Sequence, residues 1–240
     1  MNDVILFALV CFFGLLIQST VGFAGSLFAI PLFSLFLSPR EAVPIYNLVM
    51  LLVNLFLLME ARRSIHWPHV FKLLLGGLCG IPIGAYGLAC LPLGTLRVLI
   101  SLITLAFALI FILQINIKFR ETLRVYLGIG FLSGLLGGSI SEAGPPVIVM
   151  GLACGWGKNQ FRATLLAYFF FLCLAANISF LSLGLYTARS LEMFATAGLP
   201  ALAAAYLGIY LKNRIHDMSF RRLVLIIIIF VSILGFIPHQ

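Results

Sequence analysis

Long apolar runs separated by short polar stretches dominate the pattern of this chain. Charged residues are absent from 4–39, 42–59, 73–96, 98–117, 125–141, 163–188, 193–211 and 223–240. Most of these runs approach or exceed about 17–25 residues, the length at which an α-helix crosses a bilayer. The pattern predicts an all-α polytopic membrane protein without a soluble domain, placed as a multi-pass protein in the cytoplasmic membrane.

Ten apolar segments follow from this pattern, and two pairs of them are unusually short and closely joined. The segments are 4–18, 24–37, 43–59, 69–90, 96–114, 123–138, 145–155, 161–183, 191–211 and 220–237. The short pairs are 4–18 with 24–37 and 123–138 with 145–155. Each pair is expected to be a broken or re-entrant helix pair, and the pattern leaves open whether it crosses the bilayer fully or enters and returns.

The second short pair contains residues that a membrane span normally avoids. The stretch Gly134–Gly151 reads Gly-Leu-Leu-Gly-Gly-Ser-Ile-Ser-Glu-Ala-Gly-Pro-Pro-Val-Ile-Val-Met-Gly. Its two prolines lack amide donors and favour the start of a new helix, while its glycines let the backbone turn. Irregular backbone at membrane depth is tolerated only where it is buried in protein or lines a wet cavity. This stretch is therefore expected to form part of a binding site.

The two halves of the chain resemble each other. Gly22 and Pro31 have the same spacing as Gly137 and Pro146, and further matches join Asn54 to Asn177, Gly76 to Gly198 and Arg97 to Arg221. We expect a duplication, with residues 1–118 forming the first repeat and 119–240 the second.

Basic loops predict that the repeats have opposite orientations in the membrane. Loops 60–72, 114–124 and 211–222 carry most of the basic residues and are expected on the cytoplasmic side. Loop 60–72 corresponds by repeat to 184–191, which the alternation of spans places outside. Both termini are likewise expected outside. Inverted repeats with short broken segments are typical of secondary transporters, whose sites lie near the membrane midplane.

The paired motifs resemble those of the TauE/SafE family of sulfite exporters and sulfonate uptake permeases. The similarity rests on Gly22-Phe-Ala-Gly-Ser with Pro31, on Gly134-Leu-Leu-Gly-Gly-Ser with Gly144-Pro-Pro, and on Arg162-Ala-Thr. It implies a carrier for a small anion such as sulfite, a sulfonate or another sulfur oxyanion. Glu142 departs from the small residues that the resemblance implies inside the second motif.

Half-helices that begin inside the membrane direct free amide groups and a positive dipole end at a bound anion. The expected substrate-binding residues belong to the two motifs and to the helices around them. They are Ser19, Thr20, Gly22, Gly25, Ser26, Asn54, Gly134, Gly137, Gly138, Ser139, Ser141, Gly144, Pro145, Arg162 and Asn177. Alternative roles stay open: close helix packing for the glycines and serines, interhelical hydrogen bonds for the asparagines, and a topology anchor for Arg162.

Glu142 is an intramembrane carboxylate by position, and such groups are functional-site hypotheses by default. A dry site disfavours its ionised form, which makes it a candidate carrier of a coupled proton. The alternative is a cap for the helix that begins at Pro145, because acidic residues favour helix N-termini.

Other classes of function find less support. The histidines His66, His69, His216 and His239 show no metal-ligand spacing, and no HExxH, Gly-x-Ser-x-Gly or Walker motif occurs. We expect no enzyme activity, no metal and no cofactor. The net charge of +8 is explained by the basic loops, so the expected partners are the anionic substrate and the lipid bilayer rather than nucleic acid, with a homo-oligomer left open. An anion channel and a non-transporting assembly subunit remain the alternatives to a carrier.

Overall fold

The computed structural model describes residues 2–112 and 120–212, which form helices and no strand. The predicted segment 220–237 and the predicted repeat boundary at 118 and 119 lie outside the described residues. The helices are α1 (Asn2–Val21), α2 (Gly25–Phe33), α3 (Pro39–Ala61), α4 (Trp67–Cys90), α5 (Leu93–Ile112), α6 (Leu123–Ile140), α7 (Gly144–Ala153), α8 (Lys158–Ser182) and α9 (Ala188–Leu211), with a 3-10 turn at Arg62–Ser64.

Seven of the described helices are long and apolar enough to cross a membrane, which confirms the all-α polytopic prediction. The two that are not are α2 with 9 residues and α7 with 10. At 1.5 Å per residue each is only about 15 Å long, half of a bilayer core. Large apolar side chains are exposed on the outer surface, with Leu199 reaching 78%, as expected for a surface that faces lipid.

Ion pairs identify the two ends of the helix bundle. At one end, Arg189 at the start of α9 contacts Asp3 of α1 at 3.0 Å and Glu41 of α3 at 3.4 Å. At the other end, called the basic end below, Glu60 of α3 contacts Arg162 of α8 and Lys212 after α9, both at 2.7 Å. Helices α1, α3 and α9 therefore run towards the basic end, and α8 runs away from it.

The closest helix contact joins α4 to α6 through glycines on both helices. A Cβ atom on Gly80 would lie 2.2 Å from the carbonyl oxygen of Phe131, and one on Gly134 would lie 2.1 Å from that of Gly77. Small residues allow such backbone approach between helices in membranes. A second extensive contact joins α1 to α9, where a Cβ on Gly208 would lie 2.5 Å from the Cβ of Ser19.

The helix boundaries of the first half recur in the second at nearly constant separation. Helix α7 begins 119 residues after α2, at Gly144 against Gly25, and α8 begins 119 residues after α3. Helix α9 begins 121 residues after α4. These boundaries pair Gly22 with Ser141 instead of with Gly137, a displacement of four residues from the match made on sequence. Both paired residues have positive φ angles, 93° and 62°.

Candidate substrate-binding site

A small internal cavity lies where the two half-helices begin. Its free volume is about 30 Å³, enough for about two water molecules. Ala24 and Ser26 line it from the start of α2, and Gly144 and Pro145 line it from the start of α7. The structure thus brings the N-termini of both half-helices to one cavity.

The turn between α1 and α2 uses two residues with left-handed backbone. Gly22 has φ 93° and Ala24 has φ 74°. Glycine adopts this conformation freely, whereas alanine is strained by its Cβ atom. Behind the turn α2 lies close to α1, because a Cβ on Gly25 would be only 2.5 Å from Oε1 of Gln18. The tight turn holds the start of α2 inside the protein.

The turn between α6 and α7 is an αL C-cap in which serine takes the usual place of glycine. The amide of Ser141 donates to the carbonyl of Gly137, and the amide of Glu142 donates to that of Leu136. Ser141 has φ 62°, and its hydroxyl receives a hydrogen bond from the side-chain amide of Asn47. Strained backbone at a cavity is a common feature of functional sites.

The two helix N-termini offer unequal numbers of hydrogen-bond donors. The first amide that bonds within α2 is that of Phe28, to Ala24, so the amides before it lack helical partners. At α7 the prolines Pro145 and Pro146 remove two donors. Both dipoles place partial positive charge at the cavity, but α2 supplies most of the N–H groups.

The side chains that line the cavity are neutral. Among the described residues, the amide and hydroxyl side chains that line it are Gln18, Ser26, Asn47 and Ser141, with no lysine or arginine. Ser26 and Ser141 were predicted from the motifs, whereas Gln18 and Asn47 were not. Asn47 precedes Asn54 by seven residues on α3, so helical periodicity places both on one face, and this signal was available in the sequence. A neutral site with convergent N–H and O–H donors suits a small anion.

The two predicted asparagines make interhelical hydrogen bonds beside the cavity rather than lining it. Asn54 accepts a 2.8 Å hydrogen bond from Gln18 and contacts Sγ of Cys173 at 3.6 Å. Asn177 donates to the main-chain carbonyl of Asn47 at 3.3 Å and receives a hydrogen bond from Tyr186. Both therefore position residues of the cavity wall, and their contact with substrate stays a prediction.

The remaining motif residues divide between the cavity and helix contacts. Gly137 and Gly144 line the cavity with Pro145. The others make contacts within or between helices. Gly134 and Gly138 pack against α4, Ser19 against α9, Gly22 against the Arg162 side chain and Gly25 against Gln18. The hydroxyls of Thr20 and Ser139 donate to the carbonyls of Leu16 and Leu135 in their own helices. For this group the structure favours the packing alternative.

Glu142 points away from the cavity and towards α5. It is 0% exposed, and its Oε1 lies 2.6 Å from Oγ1 of Thr104. Oε2 is buried without a hydrogen-bond partner. The cap residue of α7 is Ala143, without a side-chain cap, so the carboxylate does not cap this helix as the alternative interpretation required.

The geometry around Thr104 accommodates a proton on Glu142. Oγ1 of Thr104 is also 2.7 Å from the carbonyl oxygen of Ile100. A threonine hydroxyl has one hydrogen and can donate to only one acceptor at a time. If Thr104 donates to Ile100, as is common for threonine within a helix, a protonated Glu142 completes the arrangement by donating to Thr104.

A wider cavity, called the vestibule below, opens at the basic end. Its volume is about 660 Å³. Its described lining residues include the basic Arg63, Lys158, Arg162 and Lys212 and the acidic Glu60. Phe23 lines both the vestibule and the inner cavity and is only 5% exposed. Its ring therefore lies between the two spaces.

An aromatic and acidic cluster surrounds Trp156, which lines the vestibule. Trp156 and Tyr126 donate hydrogen bonds to Glu121 at 3.2 and 3.1 Å. Partial burial raises the pKa of Glu121, but these hydrogen bonds outweigh that effect and hold the pKa below its usual range. Trp156 also stacks on His69, with ring centroids 4.4 Å apart. The loop between α7 and α8 is thereby held against α4 and α6.

Seven membrane-length helices accompany two half-helices that begin at one cavity, an architecture typical of membrane transporters. The family model described as sulfite exporter TauE/SafE matches residues 6–234. The chain therefore belongs to the TauE/SafE family, which confirms the resemblance seen in its glycine and proline motifs. No curated protein and no solved structure matches the chain.

Proposed function

We propose that the protein is a secondary carrier that moves a small sulfur oxyanion, such as sulfite or a sulfonate, across the cytoplasmic membrane. The observation that carries this proposal is the meeting of the α2 and α7 N-termini at one cavity whose polar lining side chains are uncharged. Amide and hydroxyl donors with two positive dipole ends can replace the hydration of an anion without a fixed cation. Such a site can release its ligand again, as transport requires.

A carrier is favoured over a channel by the small size of the inner cavity. The space for about two water molecules is small, and Phe23 lies between it and the vestibule. A carrier exposes its site to one side at a time, whereas a channel needs a continuous open path. Carrier flux should saturate with substrate at low turnover, and channel flux should not.

Alternating exposure of the site fits a chain of two inverted halves, residues 1–118 and 119–240. Helix α1 runs towards the basic end, whereas the start of α6 lies there, because Tyr126 of α6 contacts His69 near the start of α4 at 2.6 Å. The contact of α4 with α6 corresponds to that of α9 with α1 when the halves are exchanged. These relationships support inverted repeats, whose relative movement exposes a central site alternately to the two sides.

The membrane orientation is tested by labelling two exposed positions. Ser64 lies in the turn at the basic end, and Ser182 ends α8 at the opposite end. Cysteines introduced at these positions in a cysteine-free background should react with an impermeant reagent from opposite sides of the membrane, Ser64→Cys from the cytoplasm. Reaction from the same side excludes the proposed topology.

Coupling to protons is the second part of the proposal. Glu142 is buried next to Thr104, and one carboxylate oxygen has no hydrogen-bond partner. Ser141, the residue before Glu142 in the turn between α6 and α7, lines the cavity. A proton on Glu142 can therefore affect this turn without direct contact between the carboxylate and the anion.

Substrate binding is tested with a matched pair of serine variants. Ser26→Ala removes a hydroxyl from the cavity wall, whereas Ser139→Ala removes one that bonds to its own helix at 2.8 Å. Sulfite, sulfate, thiosulfate and sulfoacetate are titrated against the purified protein, with ligand binding measured as a rise in melting temperature. Ser26→Ala should weaken binding about tenfold, as expected for a hydrogen bond to a charged group, and Ser139→Ala should not. Absence of binding to any of these anions favours the assembly-subunit alternative.

A further inference from the structure

Four cations from separate parts of the chain meet at the vestibule. Arg63 belongs to the 3-10 turn, Lys158 and Arg162 to α8, and Lys212 follows α9. Among the described residues that line the vestibule, Glu60 is the one acidic side chain. A concave surface lined by one sign of charge concentrates ions of the opposite sign. A role in membrane topology alone does not require these basic residues to line one cavity, so their convergence suggests a further role.

Glu60 bonds to two of these cations at once. Its two carboxylate oxygens accept hydrogen bonds from Arg162 and Lys212, each at 2.7 Å. A sulfur oxyanion also has two or more acceptor oxygens, so it can accept the same two hydrogen bonds in place of the carboxylate. The side chains of all three residues are partly exposed to the vestibule, so an incoming anion can reach them.

Arg162 has further capacity to donate hydrogen bonds and touches the turn that begins α2. Its Nε is buried without a partner, and its second terminal nitrogen donates weakly, at 3.4 Å, to the carbonyl of Ser19. Its aliphatic part packs on Gly22, where a Cβ would lie 3.1 Å from Cγ. Phe23, the next residue, separates the vestibule from the inner cavity. A movement of the Arg162 side chain can therefore displace Gly22 and the adjacent Phe23.

We propose that the vestibule is a second anion-binding site, in which a sulfur oxyanion displaces the Glu60 carboxylate from Arg162 and Lys212 before it passes Phe23 to the inner cavity. Glu60 keeps the two cations paired while the site is empty. The role of this site in transport rests on the proposed carrier function, but the binding of anions to it does not.

Trp156 provides a reporter at this site. It lines the vestibule, and the chain has only one other tryptophan, Trp67. The full chain carrying Trp67→Phe is purified in detergent, and its fluorescence is quenched by iodide at constant ionic strength. Neutral acrylamide is the control for accessibility. Iodide should quench Trp156 more strongly than is expected from the accessibility that acrylamide measures. Sulfate or sulfite should reduce the quenching by iodide and leave the quenching by acrylamide unchanged.

Charge variants test the assignment of the cations and of Glu60. Removing one unit charge within about 7 Å in water changes the local anion concentration about threefold. Arg162→Gln and Lys158→Gln should lower the iodide quenching constant by this factor, and Glu60→Gln should raise it. Arg189→Gln makes the same change of net charge at the opposite end and should leave the constant unchanged. Lys158→Gln tests the same expectation if Arg162→Gln disturbs folding.

Two outcomes distinguish this site from the carrier function. Iodide quenching that is insensitive to Glu60→Gln and Lys158→Gln, or competition by sulfate that is the same in Arg162→Gln and its parent, overturns the vestibule site. Sulfite flux into proteoliposomes is measured with the same proteins. Absent flux together with the expected quenching responses overturns the carrier and supports the anion site.

Discussion

Asn47 on α3 donates a hydrogen bond from its side-chain amide to the hydroxyl of Ser141, which lies in the turn between α6 and α7. The main-chain carbonyl of Asn47 in turn accepts a hydrogen bond from Asn177 on α8. The position of the start of α7 therefore depends on a polar connection to two long helices. The side chains of Asn47 and Ser141 are both part of the cavity lining.

The first prediction concerns this pair. Asn47→Ala leaves the buried Ser141 hydroxyl without its donor, which should lower stability by about 1–3 kcal/mol. Ser141→Ala alone leaves the Asn47 amide unpaired and should cost a similar amount. The double variant removes both groups and should be less destabilised than the sum, with a coupling energy of about 0.5–3 kcal/mol. Thermal unfolding in detergent measures stability.

Measurements of sulfite transport distinguish a purely structural role of the contact between Asn47 and Ser141 from a role in substrate binding. All three variants should have reduced sulfite flux, because each removes a polar group from the cavity wall. Asn47→Ala with normal flux and normal sulfite affinity would contradict a binding role for this residue. Additive effects on stability would instead show that the hydrogen bond contributes little.

The second prediction concerns backbone strain at Ala24. Ala24→Gly should raise stability by about 1 kcal/mol, because φ 74° is unfavourable for any residue with a Cβ atom. Ala29→Gly, in the middle of α2 with helical backbone, is the matched control and should lower stability by about 1 kcal/mol. Melting temperatures of both variants are compared with the parent. A lower melting temperature for Ala24→Gly would show that the strain is not relieved by glycine.

The third prediction tests the glycine contact between α4 and α6. Gly80→Ala places a Cβ 2.2 Å from the carbonyl oxygen of Phe131, so the helices must separate and the melting temperature should fall. Gly128→Ala in α6 is the control, since its Cβ would meet nothing within 4 Å. Alanine favours a helix over glycine by about 1 kcal/mol, so this control should be neutral or more stable. Equal effects of the two substitutions would exclude close packing as the reason for Gly80.

Sequence patterns predicted the helices well because bilayer thickness imposes a length on every span. The short pairs were recognisable, since glycine and proline at Gly22, Gly144 and Pro145 interrupt apolar runs that would otherwise continue. The structure places the turns and half-helices α2 and α7 at these interruptions. The family was also recognisable from the same residues, and its model covers nearly the whole chain.

The sequence predicted Ser26 and Ser141 among the polar residues that line the cavity but missed Gln18 and Asn47, because lining depends on helix rotation and on contacts between distant segments. Glycines in one motif have different roles: Gly137 lines the cavity and Gly138 packs on α4. Gln18 ends an apolar run and resembled a boundary residue, yet it lines the cavity and bonds to Asn54. Glu142 lies in the motif but points to α5, where its carboxylate contacts the hydroxyl of Thr104.

The last prediction separates a proton carrier from a structural carboxyl group at Glu142. Glu142→Gln keeps the size and hydrogen-bonding capacity of the side chain but cannot gain or lose a proton in the working range. If Glu142 carries the coupled proton, sulfite binding and sulfite exchange should persist, while accumulation driven by a pH gradient should be lost. Proteoliposomes with an imposed pH gradient measure accumulation, and the same vesicles without a gradient measure exchange.

Thr104→Val provides the matched control for this experiment. It removes the hydroxyl that contacts Glu142 at 2.6 Å but leaves an ionisable carboxyl group in place. A proton carrier predicts that Thr104→Val keeps pH-driven accumulation with a shifted dependence on pH, because the hydroxyl stabilises one protonation state over the other. Accumulation that is unchanged in Glu142→Gln would exclude Glu142 as the carrier. Coupling would then have to come from another ion, which a sodium gradient imposed on the same vesicles would reveal, or transport would be uncoupled exchange.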